Sequence, residues 1–269
     1  MSSDASQRPK VLAGQSAIVT GGSNGIGRAT AVLLAQQGAR VFVGDYRPLE
    51  ENRARFDELG IVERQCDVRR ESDLKSLIDE AASASSLGIL VNNAGIGLVK
   101  QIPDVSCEEW DAVFDTNLKA AFFASKYAIP KMQQRGGGTI VNVSSNAGLL
   151  PRAHDPVYSI SKAALVALTR SLALCHARDR IRVNAVCPGP VSDTGMMNAD
   201  LAAADDAQAT ARKFIEASPL ALAQGRMIAP AEVAAAILYL VIDASAMVTG
   251  TIVAIDGGKS LGVPPSSHV

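Results

Sequence analysis

A tyrosine and a lysine four residues apart, Tyr158 and Lys162, are the pair in this sequence best suited to proton transfer. They lie in a helical pattern, and residues four apart on a helix share one face, with Cβ atoms about 5–6 Å apart. A free tyrosine ionises near about pH 10 and is a poor base at neutral pH. A lysine cation about 5 Å away, at an effective dielectric constant of about 20, favours the phenolate by about 3 kcal/mol, or about two pK units. The spacing therefore indicates a general acid/base, against the alternative that Tyr158 packs and Lys162 is a solvated surface charge.

A glycine-rich turn over residues 21–27 follows a short apolar strand at 16–20 and precedes a helical pattern at 28–37. Glycine lets the backbone turn sharply and approach a pyrophosphate, which then meets the free N–H groups of the helix N-terminus. The order of strand, turn and helix therefore predicts a dinucleotide site. Its expected residues are Gly21, Ser23, Asn24, Gly25, Ile26 and Gly27.

The identity of the coenzyme depends on Asp45, which ends the next strand pattern (39–44), eighteen residues after Gly27. An acidic side chain at this place accepts hydrogen bonds from the adenosine ribose hydroxyls and repels a 2′-phosphate. Arg47 is a counter-signal, because an arginine nearby can serve a phosphate. The sequence therefore favours NAD, with NADP as the alternative.

The remaining patterns alternate between strand and helix, which implies right-handed crossovers and a parallel sheet covered on both faces. Further strands are expected at 61–66, 88–91, 138–143, 180–187 and 251–255, and further helices at 50–59, 71–84, 108–134, around Tyr158, and at 231–242. The helix at 108–134 is expected to be interrupted near Pro130. Ligands of such sheets bind beyond the carboxyl ends of the strands, where the candidate residues fall.

One domain is expected over residues 13–260, with a flexible N-terminal tail at 1–12 and a C-terminal tail at 261–269. Within the domain, residues 190–229 offer one or two short helices and no good strand. A long segment of partial structure at the ligand-binding edge is typical of a substrate lid.

Composition and charge narrow the class of protein. The chain has 269 residues, is 48% hydrophobic and carries a formal net charge of −1, which gives no electrostatic case for nucleic acid or an anionic membrane. We see no apolar run near the roughly 20 residues of a membrane span and no signal peptide. The cysteines form no Cys-x-x-Cys pair and the histidines lack metal-ligand spacing. Buried or half-buried thiols in a reducing, cytoplasmic compartment are therefore expected, with no metal site; the cysteines are Cys66, Cys107, Cys175 and Cys187.

From about residue 14 to 258 the motifs, in this order, resemble the short-chain dehydrogenase/reductase family. They are Thr20-Gly21 with Gly25-Ile26-Gly27, Asn92-Asn93-Ala94-Gly95, Asn117, Ser145, Tyr158 with Lys162, Pro188-Gly189 and Asp256-Gly257-Gly258. The resemblance implies an α/β fold of the Rossmann type, a doubly wound, seven-stranded parallel sheet with helices on both faces. It also implies an NAD(P)-dependent alcohol dehydrogenase or reductase that forms a homotetramer or a homodimer.

The resemblance further implies a catalytic set of four residues. Tyr158 would exchange a proton with the substrate oxygen, and Lys162 would lower the tyrosine pKa and bind the nicotinamide ribose. Ser145 would hydrogen-bond the reacting oxygen, and Asn117 would hold a water in a proton relay behind the lysine. Ser145 is preferred to Ser144 because it lies thirteen residues before Tyr158, as family members usually show.

The coenzyme would also contact residues beyond the glycine-rich turn. Those implied are Tyr46, Asp67, Val68, Asn93, Ala94, Gly95, Tyr158, Lys162, Pro188, Gly189, Val191 and Thr194. Asp67 has a competing interpretation as a cap or turn residue. Family members often place a threonine five residues after the proline, where this chain has Asp193, with Thr194 next. Which of the two contacts the nicotinamide carboxamide stays open.

The substrate is expected to meet a mostly apolar surface that includes methionines able to fit irregular shapes. The expected residues are Ser145, Ala147, Leu149, His154, Tyr158, Met196 and Met197. His154 is alternatively a solvated loop residue, and Arg152 is a candidate partner for a carboxylate.

We predict a small-molecule substrate, a secondary alcohol on a medium-sized, largely apolar or cyclic skeleton, interconverted with its ketone. The alternatives are an NADPH-dependent carbonyl or 3-ketoacyl reductase of the same fold, against which Asp45 argues, and a dinucleotide sensor without turnover. A sensor would need a damaged catalytic set, whereas Ser145, Tyr158 and Lys162 are all present.

Overall fold

The computed structural model describes residues 10–150 and 152–262. Most of the two predicted tails, and with them His268, lie outside the described residues. Near the N-terminus, however, the prediction of a tail up to residue 12 is wrong. Leu12 is buried and its N–H donates to the Gln37 carbonyl at 2.9 Å, so the packed domain includes it.

In the part of the chain that the structure describes, seven strands form one sheet, and every pairing in it is parallel. The strands are β1 (Gln15–Thr20), β2 (Arg40–Asp45), β3 (Val62–Gln65), β4 (Ser86–Asn92), β5 (Gly138–Val143), β6 (Ile181–Pro188) and β7 (Ile252–Ile255). Their order across the sheet is β3-β2-β1-β4-β5-β6-β7. The order reverses between β1 and β4, and parallel sheets of this kind bind ligands beside such a reversal.

Within the described residues, ten α-helices connect the strands or follow them. They are α1 (Gly25–Gln36), α2 (Arg53–Leu59), α3 (Glu71–Ala84), α4 (Cys107–Phe114), α5 (Ala120–Arg135), α6 (Pro156–His176), α7 (Gly195–Ala202), α8 (Ala207–Glu216), α9 (Pro219–Gln224) and α10 (Pro230–Val241). Two apolar clusters form the core, one containing side chains of α1 and α10 and the other side chains of α3 and α5. Consecutive residues of β1 divide between them, because Ala17 and Val19 belong to the first cluster and Ile18 to the second. The predicted sheet covered on both faces is confirmed.

The interruption of the long helix predicted at 108–134 lies elsewhere than expected. Pro130 is inside the continuous helix α5, and the break is a π-helical turn at Asp115–Lys119 between α4 and α5. Single π-turns are frequent at functional sites, because they redirect a side chain that a regular helix would place differently. Here the redirected residue is Asn117.

The predicted lid contains three helices, α7 to α9, rather than one or two. The prediction for the cysteines is right for Cys66 and Cys187, which are buried, and wrong for Cys107 and Cys175, which are exposed on helices. Among the described residues, no group of three or more His, Cys, Asp or Glu side chains is arranged to hold a metal ion.

The helix that begins with α6 and extends to Asp179 is long and apolar enough, by composition, to cross a membrane. This helix is longer and more apolar than our expectation from the sequence allowed, although the charged residues Lys162 and Arg170 interrupt its apolar residues. Half of the apolar window is buried inside the fold, and core helices of soluble proteins meet the same criterion, so the helix is weak evidence for a span.

Candidate active site

The glycine-rich turn is packed so closely that side chains are excluded at two positions. Gly21 has φ +63°, and a Cβ on it would lie 2.8 Å from the Cα of Ala94. A Cβ on Gly27 would collide with the Gly21 carbonyl oxygen. Asn24, the N-cap residue of α1, makes no side-chain capping hydrogen bond, so the N–H groups at this helix start are not satisfied by a cap. Their partial positive charge suits an anion such as a pyrophosphate.

The end of β4 holds this turn in place. The Asn93 side-chain amide donates to the Thr20 carbonyl at 3.0 Å and to the Gly21 carbonyl at 2.7 Å. In return, the Thr20 hydroxyl accepts from the backbone N–H groups of Asn93 and Ala94 at 3.1 and 3.2 Å. Asn93 therefore supports the turn through its side chain, whereas Ala94 and Gly95 border the cleft with their backbone.

Asp45 lies at the carboxyl end of β2, directly under the glycine-rich turn. One of its carboxylate oxygens accepts from the Ser23 N–H at 3.0 Å, and the other accepts from the Arg47 N–H at 3.1 Å. The Arg47 guanidinium lies 5.6 Å from the ring of Tyr46, which is exposed. The carboxylate is thus hydrogen-bonded to the turn, next to the place where an adenosine ribose would lie.

Asp67 and Val68 follow β3 at the same edge of the sheet. The Asp67 carboxylate accepts two hydrogen bonds from the Arg69 guanidinium, at 2.8 and 2.7 Å, and a third from the Arg69 N–H. Its side-chain hydrogen bond with Arg69 holds the pKa of Asp67 below its usual value. The local turn that competed with a coenzyme role is therefore present, and Val68 is buried beside it.

Tyr158 and Lys162 lie on α6 and share a face of that helix, with the lysine Nζ 5.8 Å from the centre of the tyrosine ring. Both side chains are buried, Lys162 with 3% of its surface exposed. The ammonium donates to the Val143 carbonyl, at the end of β5, at 3.0 Å. A proton donor and a cation are thus enclosed at the carboxyl edge of the sheet.

The pKa of Tyr158 differs in direction from the sequence-based expectation. Burial raises its pKa, and the Ser145 hydroxyl and the charge of Arg152 oppose that rise only in part. The reason is that a phenolate loses its hydration in the closed site, a cost that the sequence argument did not include. Burial also lowers the pKa of Lys162 to about 8, because the ammonium is removed from water.

Asn117 reaches the same cleft from the π-helical turn. Its side-chain oxygen accepts from the Ile96 N–H at 2.8 Å, and its amide donates to the Ile96 carbonyl and to the Ser161 hydroxyl, each at 3.0 Å. A Cβ on Gly95 would lie 3.1 Å from the Lys162 Nζ and 3.3 Å from the Asn117 oxygen. Gly95 therefore keeps open the space that separates these two polar groups.

The two serines after β5 have different surroundings. The Ser144 hydroxyl donates to the Lys162 carbonyl at 2.8 Å and is committed to the backbone of α6. The Ser145 hydroxyl accepts from the Ala147 N–H at 3.1 Å and lies next to Tyr158. Of the two, Ser145 is thus the serine that faces the tyrosine.

Arg152 is the second cation near the tyrosine. Its guanidinium carbon lies 5.9 Å from the centre of the Tyr158 ring. It donates to the Asn146 side-chain oxygen at 2.7 Å and to the Asp155 carboxylate at 3.0 Å. Because both terminal guanidinium nitrogens of Arg152 already donate hydrogen bonds, its side chain stabilises the loop before α6 in this structure.

The first residues of the lid contact the glycine-rich turn. Gly195 donates through its N–H to the Asn24 side chain at 3.4 Å, and a Cβ on Gly25 would meet the Thr194 methyl group at 3.0 Å. The Thr194 hydroxyl caps α7 by accepting from Met197, whereas Asp193 is exposed with φ +53°. Of the two residues left open by the sequence, Thr194 is the one packed against the turn.

On the lid side of the cleft, some of the residues predicted to contact coenzyme or substrate are buried and others are exposed. Pro188 ends β6, and Gly189 packs against the Asp256 backbone, with Val191 buried. The candidate substrate residues Ala147 and Met197 are buried, and Leu149 and Met196 are partly exposed; Met196 lies over Gly97. His154 is exposed on the loop before α6, in agreement with its alternative interpretation as a solvated residue.

Three residues at the site were missed by the sequence analysis. Ser161 anchors Asn117, Asn52 donates to the Ser23 carbonyl at 2.6 Å, and Glu63 accepts the Ser23 hydroxyl proton. Each acts through a contact between residues at least 29 positions apart in the chain. No local sequence pattern indicates such contacts.

The chain belongs to the short-chain dehydrogenase family. The sequence profile described as short chain dehydrogenase matches residues 15–205, which confirms the resemblance drawn from the motifs. Members of this family are oxidoreductases that use a nicotinamide cofactor, NAD or NADP.

Relatives with assigned activities match nearly the whole chain. The chain is 40% identical over 247 residues to cis-4-hydroxycyclohexanecarboxylate dehydrogenase of Sinomonas cyclohexanicum, covering 90% of this chain and 95% of that relative. It is 38% identical over 253 residues to 4-formylbenzenesulfonate dehydrogenase of Comamonas testosteroni, covering 92% and 98%. The solved structure of aldohexose dehydrogenase from Thermoplasma acidophilum superimposes with a TM-score of 0.86 at 32% identity, covering 95% of this chain and 98% of that one.

Proposed function

We propose that this protein is an NAD-dependent dehydrogenase that interconverts a secondary alcohol and its ketone on a medium-sized, largely apolar or cyclic skeleton. The observation that carries the proposal is the buried group of Tyr158, Lys162 and Ser145 beside a glycine-rich turn with an uncapped helix start. A proton donor, a cation and a hydroxyl at the carboxyl edge of a parallel sheet are what hydride transfer to a ketone, or from an alcohol, requires from the protein.

The residues present fit a dinucleotide. Two glycines admit no side chain where the backbone would approach a pyrophosphate, and the N–H groups at the start of α1 point to an anion. Asp45 would hold the adenosine ribose, and Lys162 the nicotinamide ribose. When bound, the nicotinamide would supply the hydride chemistry.

The protein's own part of the reaction is proton transfer at the substrate oxygen. Ser145 would donate a hydrogen bond to that oxygen, and Tyr158 would take its proton in alcohol oxidation or return it in ketone reduction. Because burial raises the tyrosine pKa, the phenol form dominates at neutral pH. Alcohol oxidation should therefore become faster as the pH rises, and ketone reduction slower.

The expected substrate follows from the walls of the cleft. Ala147, Leu149, Met196 and Met197 offer apolar surface, partly on the lid. The two relatives named above act, by their names, on compounds built on a six-membered ring. These observations support a cyclic skeleton for this chain as well.

Replacement of Tyr158 by Phe tests the reaction. We expect Tyr158→Phe to lower kcat by about 10³-fold, since general acid/base catalysis contributes about 10²–10⁴-fold. NAD binding, measured by calorimetry, should change less than twofold because the ring remains. A panel of several dozen cyclic and acyclic secondary alcohols, followed by the absorbance of the reduced nicotinamide, supplies the substrate. Retained turnover in the variant would refute the role of the tyrosine, and a wild type that binds NAD but turns over no alcohol would favour the sensor.

Replacement of Asp45 by Ala tests the choice of coenzyme. The variant should bind NAD roughly 10- to 150-fold more weakly, since it loses hydrogen bonds from the ribose hydroxyls to a charged group worth about 1.5–3 kcal/mol. It should also accept NADP more readily because a negative charge is removed. An unchanged ratio of the two dissociation constants would show that Asp45 does not select the coenzyme. NADP would then be as good a candidate as NAD, with Arg47 as the partner of its 2′-phosphate.

We further propose that the protein is a cytoplasmic homotetramer or homodimer, as the family resemblance implies. Sedimentation equilibrium of the purified chain distinguishes these assemblies from a monomer. Fractionation of the source cells tests the compartment.

A further inference from the structure

Two carboxylates, not one, contact the residue at the centre of the glycine-rich turn. Asp45 of β2 accepts from the Ser23 N–H, and Glu63 of β3 accepts from the Ser23 hydroxyl. Glu63 pairs in register with Val43, two residues before Asp45, so both acidic side chains project from the same face of the sheet. Ser23 is completely buried, and Glu63 is partly exposed.

The hydrogen bond to Glu63 is internal, because Ser23 is completely buried and its hydroxyl has no exposed surface for a ligand. It holds the partly exposed Glu63 carboxylate against the glycine-rich turn, at the residue whose N–H donates to Asp45. The negative charge of Glu63 therefore adds to that of Asp45 at the place where a 2′-phosphate would lie.

We propose that Glu63 is a second determinant of coenzyme choice, which disfavours a 2′-phosphate by adding a negative charge beside Asp45 at the glycine-rich turn. This inference rests on the proposed NAD-dependent function. It gives the edge strand β3 a part in coenzyme selection. The sequence pattern, which has a single acidic residue at the end of β2, does not indicate this part.

The surrounding cations do not cancel this negative charge directly. Arg69 is paired with Asp67 at 2.7 Å, and Arg28 lies 3.5 Å from Glu51. Arg47 contacts Asp45 through its backbone, while its guanidinium lies over Tyr46. Arg47 is therefore the cation that a 2′-phosphate would meet once the two carboxylates are removed.

The test compares dissociation constants of NAD and NADP, measured by calorimetry without any alcohol. In Glu63→Gln the side chain keeps an acceptor oxygen for the Ser23 hydroxyl but loses the negative charge. We expect NADP to bind about fivefold more tightly and NAD to change less than twofold, since like charges near a surface interact by about 1 kcal/mol. Adding this change to Asp45→Ala should tighten NADP by a similar further factor.

Two further variants make the result specific. Glu80→Gln also removes one carboxylate, from the exposed pair with Arg64 of β3, and should leave NADP binding within twofold of wild type. Glu63→Thr places a residue suited to an edge strand at the same position and should shift NADP in the same direction as Gln. It also serves if the Gln variant fails to fold, as thermal unfolding would show.

The possible outcomes separate the role of Glu63 from the proposed function of the protein. The role of Glu63 is overturned, while the proposed function stands, if Glu63→Gln and Glu63→Thr leave NADP binding unchanged. The same holds if Glu80→Gln tightens NADP binding equally. A wild-type protein that binds neither NAD nor NADP overturns the proposed function itself.

Discussion

The two walls of the coenzyme cleft are built in different ways. The cradle wall, which we define as residues 15–27 with 92–95, is fixed by hydrogen bonds from the Asn93 side chain to backbone carbonyls of the turn and by glycines that admit no Cβ. The lid wall, residues 191–229, is held by few buried side chains. Helix α7 buries only Met197 and α9 only Ala221, and α8, all of whose residues are described, buries none. The proposed coenzyme site thus lies on a wall that admits no added side chain at Gly21 and Gly27, and the proposed substrate residues Met196 and Met197 lie on a wall with few buried side chains.

A methyl group added to the cradle wall should have the largest effect. In Gly27→Ala the new Cβ would collide with the Gly21 carbonyl, so the turn must open. We expect a loss of about 3 kcal/mol in stability and an NAD dissociation constant about 100-fold higher, since misplacement by about 1 Å has effects of this size. Thermal unfolding and calorimetry measure the two effects.

The same change on the lid wall provides the matched control. A Cβ on Gly195, at the start of α7, would lie 3.4 Å from the Asn24 side chain, an ordinary contact. Gly195→Ala should therefore change stability by less than about 1 kcal/mol, because alanine also favours the helix. Equal losses in the two variants would mean that the walls do not differ in rigidity.

Lys162 lies between the two walls, and removal of its buried charge should make the protein more stable. Burial lowers the pKa of Lys162 to about 8, which corresponds to roughly 3 kcal/mol of destabilisation at neutral pH. Lys162→Met removes this cost but leaves the Val143 carbonyl without its donor, an offset of about 1 kcal/mol. We expect a net gain of about 2 kcal/mol at pH 7, together with loss of turnover.

The pH dependence of that gain identifies its cause. The folded-state pKa lies below that of the unfolded chain, so the cost is complete below about pH 8 and disappears as the pH rises toward the ordinary lysine value. The difference in Tm between Lys162→Met and wild type should therefore shrink from pH 7 to pH 10. A difference that does not vary with pH would point to packing instead.

The smallest effect is expected from the anchor of the lid. Met197→Ala removes the one buried side chain of α7, and we expect the KM for the alcohol to rise about fivefold with NAD binding unchanged. Met132→Ala, in the core of α5, should instead lower stability by about 3 kcal/mol without a selective effect on KM. Equal changes in KM for alcohol and coenzyme would contradict the division between the walls.

The sequence predicted the sheet well because most strands are short apolar runs followed by a turn signal; β3, with the sequence Val-Glu-Arg-Gln, is the exception. Strand β5 and helix α3 were predicted with the bounds observed, and β1 began one residue earlier. The family was predicted from motifs at the strand ends, where the fold gathers polar residues. These features depend on local composition and spacing, which a single sequence displays.

Other features depend on contacts or on solvation that no local pattern contains. The π-helical turn at Asn117 was missed because one extra residue in a turn hardly alters the apolar periodicity. The direction of the Tyr158 pKa was wrong because the depth of burial is a property of the assembled cleft. The contact between Ser23 and Glu63 joins residues 40 positions apart and was invisible for the same reason.

The position of β1 inside the sheet, between β2 and β4, has a consequence for how the chain folds. Its partner β4 lies about 70 residues further along, and no pairing joins strands through a hairpin, since all are parallel. Distant segments must therefore meet before the central pair can form, which slows the search for the native topology. On the ribosome, β1 must wait for β4 to be synthesised, and its apolar residues are available to chaperones during that interval.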